Sequence, residues 1–136
     1  MNPETNIVTT NGGVEGLFCS ILGLVNEGEE VIFFDPSYDC YRSQIQIAGG
    51  KSIGLPLKPK IQQSKEMIKA RCKNGYASSP DDEWEIDYEA FEKSLNEKTK
   101  LFIFNTPQNP VGKVFSQEEI SKLCGILKKY PNIIIV

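Results

Sequence analysis

The sequence predicts an α/β domain in which a mostly parallel sheet lies between two layers of helices, a three-layer αβα arrangement. Two apolar runs, residues 31–34 and 101–104, lack the alternation of a half-exposed strand, which is typical of strands covered on both faces. Segments with apolar residues at helical spacing separate the strand-like runs. Because strands alternate with helices, we expect parallel pairing through crossover connections.

The first part of the chain contains three predicted strands and two predicted helices. They are strand 7–10, helix 14–25, strand 31–34, helix 38–48 and strand 52–57. Gly28 follows the first helix and is free to adopt a positive φ angle. Gly54 and Pro56 weaken the last strand and indicate a position at the edge of the sheet.

Residues 58–83 differ from the rest, because a basic half is followed by the acidic residues 81–83. We interpret this stretch as a solvated insertion with one helix at about residues 62–73. The remaining predicted elements are helix 87–95, strand 101–104, helix 116–127 and strand 133–136. Asp87 is the expected N-cap of the first of these helices, and Ser116 with Glu119 fits a capping box at the start of the second.

The composition excludes several classes of site. The 136 residues amount to at most one domain, and the lack of histidine excludes a His-based triad or a His-ligated metal site. The net charge of −3 gives no reason to expect nucleic-acid binding, and no apolar run approaches the ~20 residues of a membrane span. The four cysteines form no C-x-x-C pair, and three lie in apolar helical patterns as small hydrophobic residues. They favour a reduced compartment, and we expect a cytoplasmic protein.

The last residues, 133–136, form an all-apolar strand with no following element to cover it. We therefore expect the chain to be an interior fragment of a larger enzyme subunit.

Three turns carry residues suited to a ligand. Gly12-Gly13 precedes a helix, where unobstructed N–H groups and the positive end of the helix favour an anion. Tyr38 follows the first buried strand, and Asn109 lies in a turn stiffened by two prolines, in which the Asn109–Pro110 bond is a candidate cis peptide. Turns after parallel strands share the carboxyl edge of the sheet, where α/β proteins bind ligands. Each turn also has an ordinary structural explanation: a plain Gly-Gly turn, a packed tyrosine or a strand-to-helix loop.

The first turn also approximates a dinucleotide fingerprint, because Asn11-x-Gly13-x-x-Gly16 resembles G-x-G-x-x-G. Asp35, at the end of the next strand, would then bind a ribose hydroxyl. The first glycine is missing, however, and Pro36 to Tyr38 would have no task in a nicotinamide site. An NAD(P)-binding Rossmann-type domain is therefore the second hypothesis.

Three stretches, in this order, resemble the class I and II aminotransferases of pyridoxal-phosphate fold type I, nearest to the kynurenine aminotransferase and cysteine-S-conjugate β-lyase group. They are TNGGVEGLF (10–18), DPSYDCY (35–41) and NTPQNPVGKVFS (105–116). The resemblance implies that residues 1–136 are part of the large cofactor-binding domain, with a variable insertion at about 58–83. It also implies the cofactor pyridoxal 5'-phosphate and transfer of an amino group from an L-amino acid (kynurenine, aromatic or glutamine-like) to a 2-oxo acid. A β-lyase side activity and a homodimer are further expectations from the family.

The same resemblance implies roles for five residues. Gly12, Gly13 and Val14 would hold the cofactor phosphate, and the Tyr38 ring would stack on the pyridine. Asn109 would donate to the cofactor's phenolic oxygen and help bind the substrate carboxylate. Gly13 and Val14 depart from the Ala or Ser and the aromatic residue of many relatives, but amide donation does not depend on the side chain.

The resemblance places no catalytic residue in this chain. In the family the Schiff-base lysine and the Asp that faces the pyridine nitrogen lie further along, and we assign no lysine of this chain to that role. We therefore expect the 136-residue chain by itself to be inactive. A non-catalytic interaction module, which would self-associate through exposed strand edges, is the alternative from another class.

Overall fold

The structure is a computed structural model that describes residues 2–59 and 84–136. Its helices are α1 (Pro3–Asn6), α2 (Gly12–Leu24), α3 (Cys40–Ile47), α4 (Tyr88–Ser94) and α5 (Gln117–Leu127). Its strands are β1 (Glu30–Asp35), β2 (Lys51–Pro56), β3 (Lys58–Pro59), β4 (Trp84–Glu85), β5 (Thr99–Ile103) and β6 (Ile134–Ile135). The helix predicted at residues 62–73 lies outside the described residues.

Four strands form one parallel sheet in the order β2-β1-β5-β6. Strand β2 lies at one edge, as Gly54 and Pro56 indicate. Strands β3 and β4 form a separate antiparallel pair that connects the two sides of the 58–83 stretch. The parallel sheet predicted from the alternation of strands and helices is confirmed.

Alternate residues of β1 point to opposite faces of the sheet, and each face carries its own core. Val31 and Phe33 pack with residues of α2 and α3. Ile32 and Phe34 pack with residues of α4 and α5. Burial of both faces explains why this strand is continuously apolar, and it confirms the three-layer αβα arrangement.

The local signals for helix ends and turns are confirmed. The Ser116 side chain accepts from the Glu119 N–H while the Glu119 carboxylate accepts from the Ser116 N–H, a complete capping box. The Asp87 side chain accepts from the Ala90 N–H at the start of α4. Gly28 has a φ of 81°, a conformation that favours glycine.

Two predictions from the sequence are wrong. Residues 7–10 form no strand: Ile7 and Val8 are 58% and 85% exposed, because no described strand lies beside them to complete a ladder. Cys19 and Cys124 are exposed rather than buried, because neither core covers their positions on α2 and α5. No helix in the described part of the chain is long and apolar enough to cross a membrane.

The pairing of Asp87 with Lys58 makes one contribution to stability dependent on pH. The Lys58 Nζ lies 2.6 Å from an Asp87 carboxylate oxygen. This hydrogen bond, followed by that from the Ala90 N–H, lowers the pKa of Asp87 below its ordinary value of 3.8. A lowered folded-state pKa stabilises the fold above the unfolded-state pKa of about 3.9, and the contribution is lost as the pH falls through the folded value.

We therefore expect Asp87→Asn, which keeps an N-cap side chain, to lower the free energy of unfolding at pH 7. The difference from the unsubstituted protein should shrink as the pH falls below 4. Urea denaturation between pH 7 and pH 3 measures it. Asp39→Asn is the control, because Asp39 occupies an N-cap without a cap hydrogen bond. A difference for Asp87→Asn that does not change with pH would contradict the assignment.

Candidate functional site

The three turns singled out in the sequence follow or precede elements that meet at one edge of the sheet. Strands β1 and β5 are parallel neighbours, so the turns after Asp35 and Ile103 leave at the same carboxyl edge. Helix α2 ends where the chain turns into β1, and its 13 residues span about 20 Å, the height of the sheet. Its first residues therefore lie at the carboxyl edge too.

The start of α2 is open to an anion. Gly12 has a φ of 81°, and a side chain added at Gly13 would meet no atom within 4 Å. The Asn11 side chain makes no cap hydrogen bond. Within the described part of the chain, the N–H groups of Gly13 and Val14 have no acceptor. The Glu15 carboxylate accepts from the Asn11 N–H, one residue before the helix. The N–H groups of the first helical turn are left for a ligand.

Tyr38 is half-buried at the exit of β1, with its ring supported from the core. Its ring lies edge-on to that of Tyr41 at 6.0 Å, and Tyr41 lies edge-on to Phe33 at 5.6 Å. Tyr41 is buried and is a packing residue, as its position in the sequence indicates. A hydrogen bond with the Cys40 side chain raises the pKa of the Tyr38 hydroxyl, so the ring is neutral at pH 7.

The carboxylate of Asp35, the last residue of β1, already has two hydrogen-bond donors. Its carboxylate accepts from Arg42 Nη2 at 2.5 Å and from Ser37 Oγ at 2.8 Å. A Cβ at Gly54 would overlap both the Asp35 carboxylate and Arg42, so this glycine makes room for the ion pair. A carboxylate with these partners is poorly placed to bind a ribose hydroxyl, which weakens the dinucleotide hypothesis.

Hydrogen bonds to β1 and within the turn itself fix the turn after β5. Gln108 is 2% exposed, and its Nε2 donates to the carbonyl oxygens of Phe34 at 3.0 Å and Pro36 at 2.9 Å. The Asn109 N–H donates to Asn105 Oδ1 at 2.8 Å. The Asn109 side chain is exposed and has no partner among the described residues. The Asn109–Pro110 bond is cis, as are Asp35–Pro36 and Thr106–Pro107.

An ion pair between Lys113 and Glu119 fixes the C-terminal end of this turn. Lys113 is 1% exposed, and its Nζ lies 2.9 Å and 3.1 Å from the two carboxylate oxygens of Glu119. Its ammonium group also lies 5.0 Å from the centre of the Phe115 ring. Because Glu119 completes the capping box of α5, the pair ties the turn to the start of that helix.

A side-chain hydrogen bond joins the start of α2 to α3. Gln44 is 7% exposed, and its Nε2 donates to the Val14 carbonyl at 3.2 Å. Gln44 thus connects the start of α2 to the helix that follows Tyr38. Together Gln44 and Gln108 join the segments that carry Gly12 to Val14, Tyr38 and Asn109.

The sequence did not reveal Gln44, Gln108 or Lys113 as structural residues of the site. A glutamine in a proline-rich turn and a lysine in a loop are usually exposed, so neither type indicates burial. The one available signal was Glu119, whose place in the capping box puts a carboxylate six residues from Lys113. No group of three or more potential metal ligands gathers within residues 2–59 and 84–136.

Comparisons with known proteins match all or nearly all of the chain. The family model for aminotransferases of class I and II matches residues 1–136. Kynurenine–oxoglutarate transaminase 3 of Bos taurus is 37% identical over 99% of the chain and 27% of its own length. Bna3p of Saccharomyces cerevisiae matches with a TM-score of 0.77 and 39% identity over 93% of this chain and 27% of its own. Cystalysin of Treponema denticola, whose structure contains pyridoxal 5'-phosphate, matches with a TM-score of 0.73 and 26% identity over 95% of this chain and 28% of its own. The chain thus spans little more than a quarter of the length of these relatives.

We expect Lys113→Met to lower the free energy of unfolding by about 3–5 kcal/mol, because it leaves the Glu119 carboxylate without its partner in a largely buried place. Urea denaturation of the full-length protein measures the change. Adding Glu119→Gln removes the unpaired charge and keeps a capping-box side chain, so the double variant should regain part of the loss. Lys128→Met, at an exposed position, is the control. Equal stability of Lys113→Met and Lys128→Met would contradict a stabilising pair.

Proposed function

The chain belongs to the class I and II aminotransferase family, and on that premise we propose that the protein containing it binds pyridoxal 5'-phosphate and transfers an amino group from an L-amino acid to a 2-oxo acid. The observation that carries the proposal is the convergence of three turns at one edge of the sheet. One turn offers free N–H groups, one a supported aromatic ring and one an unpaired amide. A flat, aromatic, anionic ligand requires these three types of contact.

The residues present fit the cofactor. Open space at Gly13 and the unpaired N–H groups of Gly13 and Val14 suit a phosphate, which binds readily at a helix start. Charge-assisted hydrogen bonds of this type contribute about 1.5–3 kcal/mol each. When bound, the cofactor supplies a conjugated ring that accepts electron density from the substrate Cα.

The side chains of this chain bind and orient rather than exchange protons. The neutral Tyr38 ring would stack on one face of the cofactor, and its support by Tyr41 and Phe33 fixes its place. The Asn109 amide would donate to the phenolic oxygen and to the substrate carboxylate. An amide suits both tasks because it donates without titrating.

No residue of this chain is proposed as the lysine that carries the cofactor. Lys113, although buried, has its ammonium group engaged with Glu119 rather than free to act as a nucleophile. We propose that the lysine that carries the cofactor lies in the remainder of the protein. For this reason we propose that the 136-residue chain alone is inactive.

The preferred amino donor is proposed to be kynurenine or another aromatic or glutamine-like amino acid. Support comes from the names of the relatives, which include kynurenine–oxoglutarate transaminases of Bos taurus and Homo sapiens. A β-lyase activity on cysteine conjugates, a role in a biosynthetic process and a cytoplasmic location stay predictions.

We also propose that the protein acts as a homodimer. Support comes from the outer side of α2, where Leu22 is 46% exposed and Cys19, about one turn earlier, is exposed as well. Neighbouring apolar residues on the outer side of a surface helix favour contact with another protein surface. A second subunit would provide it.

The test of the function is transamination by the full-length protein, loaded with pyridoxal 5'-phosphate, from kynurenine to 2-oxoglutarate. We expect Asn109→Ala to lower kcat/KM by roughly 10–150-fold, the effect of losing about 1.5–3 kcal/mol of hydrogen bonding to charged groups. Asn132→Ala is the matched control, because Asn132 lies exposed in the turn before β6, away from the carboxyl edge. A protein without bound cofactor or turnover would refute the proposed function, and unchanged kcat/KM in Asn109→Ala would refute the role of Asn109.

A further inference from the structure

Gln108 is the only side chain in the described residues that hydrogen-bonds the exit of β1 to the turn after β5. Its Nε2 contacts the carbonyls of Phe34 and Pro36, which lie on either side of Asp35. The same residue is fixed through its main chain, since its N–H donates to the Lys113 carbonyl at 2.8 Å and its carbonyl accepts from the Gly112 N–H at 2.6 Å. Gln108 thus belongs to a rigid turn and reaches across to a second one.

The chemistry of the bridge requires a primary amide. One nitrogen with two N–H bonds can donate to two carbonyl oxygens at once without carrying a charge. A hydroxyl has one hydrogen, and an ammonium group would bring a charge into a place that is 2% exposed. Removing the amide leaves two carbonyls without this donor and removes the side-chain hydrogen bonds between the two turns.

The bridge joins the two groups proposed to contact the cofactor ring. Tyr38 follows the Pro36 carbonyl by two residues, and Asn109 follows Gln108 directly. Pro36 and Pro110 restrict the backbone beside each of them. The Asn109 N–H bond to Asn105 Oδ1 removes further freedom. The separation of the Tyr38 ring from the Asn109 amide therefore depends on the hydrogen bonds of Gln108.

We propose that Gln108 is a positioning residue that sets the Asn109 amide at the correct distance from the ring held by Tyr38. The inference rests on the proposed function, because it concerns the same cofactor. Gln108, which is 2% exposed, would itself touch neither cofactor nor substrate. Its loss would move the Asn109 amide away from the phenolic oxygen and leave the phosphate turn at Gly13 in place.

The test uses the full-length protein loaded with pyridoxal 5'-phosphate and the variant Gln108→Met, which keeps the length of the side chain but has no donor. The readout is the pH at which the visible absorption of the bound cofactor changes. A hydrogen bond to the anionic phenolic oxygen favours the anion, so its loss should raise this pH. We expect a rise of about one unit, a tenfold change in the ionisation constant.

Asn109→Ala should raise the same pH, and the double variant should titrate like Asn109→Ala alone, because both changes remove one contact. Gln117→Met, an exposed glutamine in the first turn of α5, is the control and should titrate like the unsubstituted protein. If Gln108→Met does not fold, Gln108→Asn keeps the amide one methylene short of its partners and should give a smaller rise. A role limited to stability would change the melting temperature and leave the titration unchanged.

The outcomes separate the two proposals. An unsubstituted protein that binds no cofactor overturns the proposed function and this inference together. An unsubstituted protein that binds the cofactor, with folded Gln108 variants that titrate at the unsubstituted pH, overturns the inference alone. Additive shifts in the double variant would also overturn it, because Gln108 would then act independently of Asn109.

Discussion

The parallel pairing of β1 with β5 is the constraint on which the site depends. The pairs Val31 with Leu101, Ile32 with Phe102 and Phe33 with Ile103 keep the two strands in register. Parallel neighbours release their following turns at the same edge, so Tyr38 and Asn109 are brought to one side by topology alone. Burial of β1 on both faces then fixes the sheet between two helical layers, and α2 returns its first turn to the same edge.

Buried polar contacts refine what the topology brings together. The side chains of Gln108, Gln44 and Lys113 are buried, and in such surroundings removing a hydrogen-bond partner is costly. The two glutamines link segments that are 30 or more residues apart, and the Lys113–Glu119 pair ties a turn to the helix that follows it. The exposed groups at the edge, by contrast, have open surroundings: Gly13 faces free space and the Asn109 amide has no partner among the described residues. Rigid supports beneath unpaired donors are the arrangement of a preformed binding site.

Much of the fold could be predicted because its signals are local. Continuous apolar runs predicted β1 and β5, and the cap residues Asp87 and Ser116 predicted the starts of α4 and α5. Residues 7–10 were mistaken for a strand because apolar composition cannot show that a partner strand is missing. Gly54 indicated an edge strand, but the ion pair that it accommodates, Asp35 with Arg42, belongs to an earlier part of the chain. Gln108 and Lys113 were missed for the same reason: their burial follows from long-range packing, which single-residue tendencies do not contain.

The most direct test of the account is a crystal structure of the full-length protein with pyridoxal 5'-phosphate bound. We expect the phosphate to accept hydrogen bonds of about 2.7–3.2 Å from the first N–H groups of α2. The Tyr38 ring centre should lie within about 7 Å of the cofactor ring, with the Asn109 amide on its phenolic oxygen. A cofactor bound elsewhere, or one that contacts Gly13 while Tyr38 and Asn109 face away from it, would contradict the account.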